Sequence, residues 1–367
     1  MEPLKNLFSS QFYDFFCDEF LKFSPDFDRN QFINLIFDAD WKNRELKDRM
    51  RHTALVLHHF LPTHFPDTAR LLARFCVHMK DAGFGNQALQ YMFVPDYIQL
   101  FGIEYFEESA DAFAQITPFT SCEFAVRPFI VKYPQAMIER MLAWSGHENH
   151  HVRRLSSEGS RPRLPWAMAL PDFKKDPSAI LPILENLKKD SSEYVRRSVA
   201  NSLNDIAKDN PQIVLAILQH WKGLGKETDY ILKHGSRTLL KQGHKEALGA
   251  FGLHSDDDFV LDDFKIHTLD VKIGETLTFS FSIENRSEVA AKIRLEYGLY
   301  FRKQNGLLSK KVFKISEKEF APNEKATLVR NQSFRLITTR VFYTGEHALS
   351  IIVNGEEKLK GMFRLTI

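Results

Sequence analysis

The chain has 367 residues, 44% of them apolar and 26% charged, which excludes wholesale disorder and calls for two domains rather than one. Its 49 basic and 47 acidic side chains leave a net charge of +2, so the charge balance alone points to no charged partner. Three widely spaced cysteines (Cys17, Cys76, Cys122) form neither a zinc motif nor a disulfide framework. The opening Met1-Glu2-Pro3 lacks a signal-peptide layout and no apolar run is long enough to span a bilayer, so the expectation is a soluble cytoplasmic chain.

Residues 1 to about 250 read in helical period. The aromatic residues Phe8, Phe12, Phe15, Phe16 and Phe20 recur near spacings of three and four, as a buried helical stripe requires, and are expected to fill a core. Proline-marked helix starts are expected at Ser24-Pro25-Asp26, Phe65-Pro66-Asp67, Val94-Pro95-Asp96, Tyr133-Pro134 and Asn210-Pro211. His147-Glu-Asn-His-His151 matches the zinc-protease pattern H-E-x-x-H, which needs both histidines on one helical face. It follows Trp144-Ser-Gly146, a natural helix end, so His147 is expected in a loop and no metal site is predicted.

Tyr194-Val-Arg-Arg197 repeats His151-Val-Arg-Arg154 at an offset of 43 residues, and Tyr230-Ile-Leu-Lys233 is a degraded third copy. Offsets near 40 belong to helical-pair solenoids of the HEAT type, whose concave faces suit long partners. From His151 to Arg237 there are 15 Lys or Arg against 10 Asp or Glu. In the helix expected from Tyr194 to Ala207, Val195, Val199, Leu203 and Ile206 form an inward stripe. Arg197, Asn201, Asn204 and Asp205 form a polar stripe opposite, of a kind that suits phosphate oxygens or plain solvent.

The acidic stretch Asp256–Asp263 marks a seam, and the domain boundary is drawn at 257/258. Beyond Gly274, Thr276 to Ile283 alternates polar and apolar residues strictly. Similar runs follow at 291–301, 311–315, 325–336, 347–353 and 360–367, separated by turn signals such as Asn305-Gly306 and Asn354-Gly355. Six or seven short strands make the fold class an α+β multidomain chain: a HEAT-like α-helical solenoid (1–257) followed by an immunoglobulin-like antiparallel β-sandwich (258–367).

The string Arg153-Arg-Leu-Ser-Ser-Glu-Gly-Ser-Arg-Pro-Arg-Leu-Pro-Trp166 reads as a helix through Glu158 that stops at Gly159 and passes into a proline-stiffened connection. It resembles the signature of the AlkC branch of the alkylpurine DNA glycosylases, HEAT-repeat enzymes that also include the AlkD type. Thr120-Ser-Cys-Glu-Phe-Ala-Val-Arg127 shares the likeness. The resemblance covers residues 115 to 240 best and also accounts for a C-terminal immunoglobulin-like domain.

It implies hydrolysis of the N-glycosidic bond of a small cationic alkylated base, of the 3-methyladenine type, in duplex DNA. It implies Glu158 and Glu123, with Asp205 third, as carboxylates at the sugar and water, and Trp166 as a ring beside the base. Taken locally, Glu123 can instead pair with Arg127 and Glu158 with Arg154 at i, i+4, and Trp166 can be a core residue. Candidate DNA contacts are Arg153, Arg154, Arg161, Arg163, Arg196, Arg197, Asn201, Lys233, His234 and Arg237, one of each adjacent arginine pair being expected to face away from the duplex. The expected partner is damaged double-stranded DNA, with no cofactor and a monomeric chain. The alternative is a non-catalytic repeat scaffold for nucleic acid or protein.

Overall fold

A computed structural model describes residues 3–253, 259–337 and 340–367. Among them, sixteen α-helices precede eight strands. The first seven helices are α1 (Ser10–Phe20), α2 (Arg29–Ile36), α3 (Leu46–His58), α4 (Phe65–Asp81), α5 (Phe93–Phe101), α6 (Phe106–Ile116) and α7 (Val126–Lys132). Phe8, Phe12, Phe16 and Phe20 are buried with Tyr13, Phe32, Phe75 and Phe93, while Phe15 is half-buried edge-on to Phe84. Ser9 caps α1, its hydroxyl accepting from Phe12 N. Ser24-Pro25-Asp26 starts no helix. Asp28 supplies the cap instead, accepting from Gln31 N, and α2 begins four residues later than the proline signal implied.

Nine further helices follow: α8 (Pro134–Trp144), α9 (His150–Gly159), α10 (Pro171–Lys175), α11 (Leu181–Leu187), α12 (Glu193–Ile206), α13 (Pro211–Trp221), α14 (Lys226–Gly235), α15 (Arg237–Lys241) and α16 (Lys245–Ala250). The 43-residue offset carries α9 onto α12, and these two lie side by side, with α14 on the far side of α12. Small residues permit the close approach. Ser157 and Ser198 hydroxyls meet at 2.7 Å between α9 and α12, and a Cβ on Gly235 would stand 2.9 Å from that of Leu203.

By contact the chain divides into two compact units, one of residues 1–210 and 222–235, the other of 211–221 and 236–367. Helices α13, α15 and α16 thus group with the strands. The boundary expected at 257/258 lies outside the described residues, as does the start of the acidic stretch that marks it. The end of that stretch does not: Asp262 and Asp263 belong to the first strand.

The strands are β1 (Phe259–Ile266), β2 (Asp270–Lys272), β3 (Thr276–Asn285), β4 (Ala291–Arg302), β5 (Leu308–Phe320), β6 (Lys325–Ser333), β7 (Gly345–Val353) and β8 (Glu356–Thr366). They form sheets in the orders β1-β3-β6 and β2-β8-β7-β4-β5, antiparallel except for the short β2·β8 pairing. The alternation in β3 buries Leu277, Phe279, Phe281 and Ile283 against Leu295, Leu299, Leu349 and Ile351 of the facing sheet. This is the expected sandwich with more strands than anticipated. A register shift between Asp262 and Lys265, with Asp263 at φ +55°, breaks the period of β1, so acidic residues there read as a linker.

Candidate active site

Helix α9 ends at Gly159, where the chain packs too tightly for a side chain: a Cβ would sit 2.6 Å from Val126 Cγ2. Leaving the helix, the segment 160–168 turns back, and Leu170 N donates to Pro162 O at 3.1 Å. This geometry stacks α9, the segment and α12 so that their charged side chains interleave.

The result is a continuous ladder of ion pairs. Arg154 Nη1 donates to Glu123 Oε2 at 2.9 Å, and Arg154 Nη2 lies 3.6 Å from Glu158 Oε2. Arg161 Nη1 donates to Glu158 Oε1 at 2.5 Å, while its Nε and Nη2 reach Asp205 Oδ2 at 2.9 and 2.8 Å. Lys208 Nζ closes the series on Asp205 Oδ1 at 2.9 Å. Three carboxylates and three cations therefore alternate. Burial alone would lower both guanidinium groups, yet the Glu158 and Glu123 carboxylates hold Arg154 above the ordinary arginine value, and Glu158 and Asp205 do the same for Arg161. The arginines stay cationic under any working condition.

Glu123, Glu158 and Asp205, expected from separate stretches of sequence, thus come together. The local pairing of Glu123 with Arg127 does not form, because Glu123 precedes α7 and has no helical i, i+4 geometry. Ser121 Oγ donates to it at 2.9 Å instead. The polar stripe expected on α12 is also corrected. Arg197 is exposed and Asn201 half-buried, but Asn204 and Asp205 are only 3% and 1% exposed. Neighbours on both sides of α12 cover positions that one helix's periodicity would leave in water.

Trp166 is not a core residue: it is 62% exposed, with its backbone in the left-handed region at φ +64°. The Lys47 ammonium donates to its carbonyl oxygen and lies over the Phe124 ring.

Several candidate DNA contacts are engaged within the protein. Arg153 forms a fork on Asp190 (2.6 and 3.0 Å) and donates through Nη1 to the carbonyls of His147 and Glu148. Arg196 Nη1 donates likewise to the carbonyls of Asp190 and Ser191. In both repeats the first arginine of the pair holds backbone five and six residues upstream. Arg163 forks onto Asp209 at 3.0 and 2.6 Å. Lys233 and His234 are half-buried near the end of α14, with His234 Nε2 3.4 Å from Asn201 Oδ1, and Arg237 opens α15 in the second unit.

Residues that sequence reasoning passed over also build the site. Tyr194, noticed only as a repeat marker, lies under the Arg154 guanidinium at 4.2 Å. With His151, Thr120 and Ser121, these two line a cleft of about 400 Å³. Arg127 is wholly buried, and its flanking apolar run, Phe124 to Ile130, was the available signal.

His147 lies in the loop before α9, its Nδ1 accepting from Asn149 N, while Asn149 caps the helix that carries His151. Among the described residues no group of three or more His, Cys, Asp or Glu is arranged to hold a metal ion, and no helix is long and apolar enough to cross a membrane.

Residues 102–245 match the family model described as DNA alkylation repair enzyme, and residues 260–367 match the C-terminal Ig-like domain of the YhaZ type. The protein YhaZ of Bacillus subtilis (strain 168) is 42% identical over 358 residues, 98% of each chain. Among solved structures, the Pseudomonas fluorescens alkylpurine DNA glycosylase AlkC, bound to DNA containing an abasic-site analogue, is 33% identical. It matches the whole of both chains with a TM-score of 0.93.

Proposed function

Since the chain belongs to the AlkC family of DNA alkylation repair enzymes, we propose that it is a monofunctional glycosylase for small cationic alkylated bases, of the 3-methyladenine type, in duplex DNA. The observation that carries this reading is the convergence of Glu123, Glu158 and Asp205 on the segment that also presents the exposed Trp166.

A cationic base is already a good leaving group and needs no general acid. Its C–N bond breaks with both electrons departing on the base, which neutralises it, and positive charge develops on the deoxyribose. Carboxylates fixed beside the sugar stabilise that charge and orient a water, whose oxygen bonds to C1′ while its proton passes to the carboxylate. Glu158 is assigned the central place, with Glu123 beside it and Asp205 behind Arg161. Arg154 and Arg161 hold these carboxylates in place rather than reaching for DNA. The Trp166 ring favours a cationic base over a neutral one.

DNA contacts fall to the exposed Arg197, together with Arg163 at the rim. Arg153 and Arg196 serve the repeats. The products are a free alkylated base and an abasic site, formed by a monomer in the cytoplasm without a cofactor.

The test is release of free base from methylated duplex DNA, resolved by chromatography, for the wild type and Glu158→Gln in parallel. Release by the wild type, with turnover lost and DNA binding kept in Glu158→Gln, is the expected result. No release by the wild type, with the protein folded and bound to DNA, leaves a non-catalytic repeat scaffold.

A further inference from the structure

Arg127, on α7, is among the largest fully buried side chains of the described residues, and it is the one among those that carries a charge. Taking a guanidinium out of water is costly unless its donors are matched, and a carboxylate is the usual match. Arg127 has none in contact among the described residues. Nε donates to Met168 O at 2.6 Å, and Nη1 donates to both Gly159 O and Arg161 O at 2.8 Å. Nη2 has no partner among the described residues. An expensive buried cation is thus directed at three backbone carbonyls.

The place of those carbonyls explains the arrangement. Gly159 O and Arg161 O lie where α9 ends, where carbonyls lack helical partners and the helix dipole is negative. Met168 O lies at the other end of the same segment. One planar fork therefore ties both ends of 159–168 together, and Glu158, Arg161, Arg163 and Trp166 are presented at its start or along it. The close contact of Gly159 with Val126 brings α9 near enough to α7 for the fork to reach.

We propose that Arg127 is a positioning residue that sets the shape of segment 159–168 before DNA arrives, so that Glu158 and Trp166 meet the damaged nucleotide without a folding step. This rests on the glycosylase reading. Burial, and then repulsion by Arg161, push the Arg127 guanidinium down to about 10, while Asp205, Glu123 and Glu158 attract it, so it is still charged at neutral pH. A lysine would keep that charge. It could not reproduce the fork, because a single ammonium cannot reach Met168 O and the α9 terminus in the same geometry.

The experiment compares full-length wild type and Arg127→Lys in three measurements: single-turnover base release from methylated duplex, affinity for duplex containing an abasic-site analogue, and acrylamide quenching of tryptophan fluorescence. Trp166 is 62% exposed whereas Trp41, Trp144 and Trp221 are 8%, 4% and 4%, so the quenchable signal reports the segment, and Trp166→Phe supplies the blank. Expected for Arg127→Lys are affinity within about threefold, a release rate lower by on the order of 10²-fold, and altered quenching of Trp166. Wild-type release rate and quenching in Arg127→Lys overturn the proposal.

Hydrogen exchange in the wild type decides the matter even where the variant does not fold. Amides of 160–168 equally protected with and without DNA support a pre-set segment, and protection that arises only with DNA overturns it. A wild type that releases no base defeats the glycosylase reading alone, and the exchange data then still judge the clamp.

Discussion

Replacing Arg161 by methionine tests whether this arginine belongs to the protein or to the DNA. The side chain is 6% exposed and joins two carboxylates, Glu158 and Asp205, that are themselves 5% and 1% exposed. Removing one partner of a buried pair costs roughly 3–5 kcal/mol, most of it from the charge left behind. Two charges are left here, but Asp205 keeps Lys208 at 2.9 Å and Glu158 keeps Arg154 at 3.6 Å, which argues for the lower end, about 3 kcal/mol. Methionine fills most of the vacated volume, so no large cavity adds to the loss. In a unit of this size each kcal/mol moves the melting midpoint by roughly 2–4 °C, so a drop of roughly 6–12 °C is expected. The assay is thermal melting followed by the helical circular-dichroism band, with the triple variant Arg161→Met, Glu158→Gln, Asp205→Asn beside it. Neutralising both carboxylates should recover most of the loss, because neither is then left as a buried charge without its arginine. An Arg161→Met midpoint within about 1 °C of wild type refutes the reasoning and returns Arg161 to the DNA-contacting set.

Two further outcomes follow from the same region. Trp166→Gly relieves a left-handed backbone strain and removes a ring that is mostly in water, so stability should stay within about 1 kcal/mol while base release falls. A melting midpoint many degrees lower would show instead that the ring is packed. Burial first, and then His150, Arg154 and Lys80, push the His151 imidazole down to about 4, whereas an unfolded histidine titrates near about 6.5. Between those values the unfolded chain binds a proton that the folded one refuses, so stability falls as pH drops from about 6.5 towards 4 and is unaffected above that window. His151→Gln should remove roughly 1–2 kcal/mol of that loss, allowing for solvent at the half-buried ring, and urea midpoints at neutral and acid pH for both proteins measure it. Equal acid sensitivity in the two proteins would assign the effect to another group.

What could be read from the sequence depended on whether a feature is local. The strict alternation of Thr276–Ile283 is a property of one strand and reads directly, and so does the inward stripe Val195, Val199, Leu203 and Ile206. The bulge in β1 spoils its period, and its Asp262 and Asp263 pass for a linker. The three carboxylates were chosen through a family likeness, but their partners were not visible. Glu123 meets Arg154 across 31 positions and Asp205 meets Arg161 across 44, and no spacing rule reaches that far. The burial of Asp205 depends on what packs beside α12, and the reach of Arg127 depends on a segment folding back onto α7. Trp166 illustrates the converse: read locally, a tryptophan between Pro165 and Ala167 could as well be core, and the structure leaves it 62% exposed on a backbone at φ +64°.

The matching arginines of the two repeats bear on how the chain folds. Arg153 and Arg196 each secure carbonyls just five and six residues upstream. Contacts that close so little chain carry little loop entropy and can form early. Each helix of the pair therefore has its own starter, able to set the loop-to-helix angle before the neighbouring repeat is in place. Arg153 then reaches onward to Asp190, the residue whose carbonyl Arg196 holds, so the first starter is linked to the second. In a solenoid, where order propagates from one unit to the next, such a linkage gives the α9-to-α12 step a template that needs no ligand.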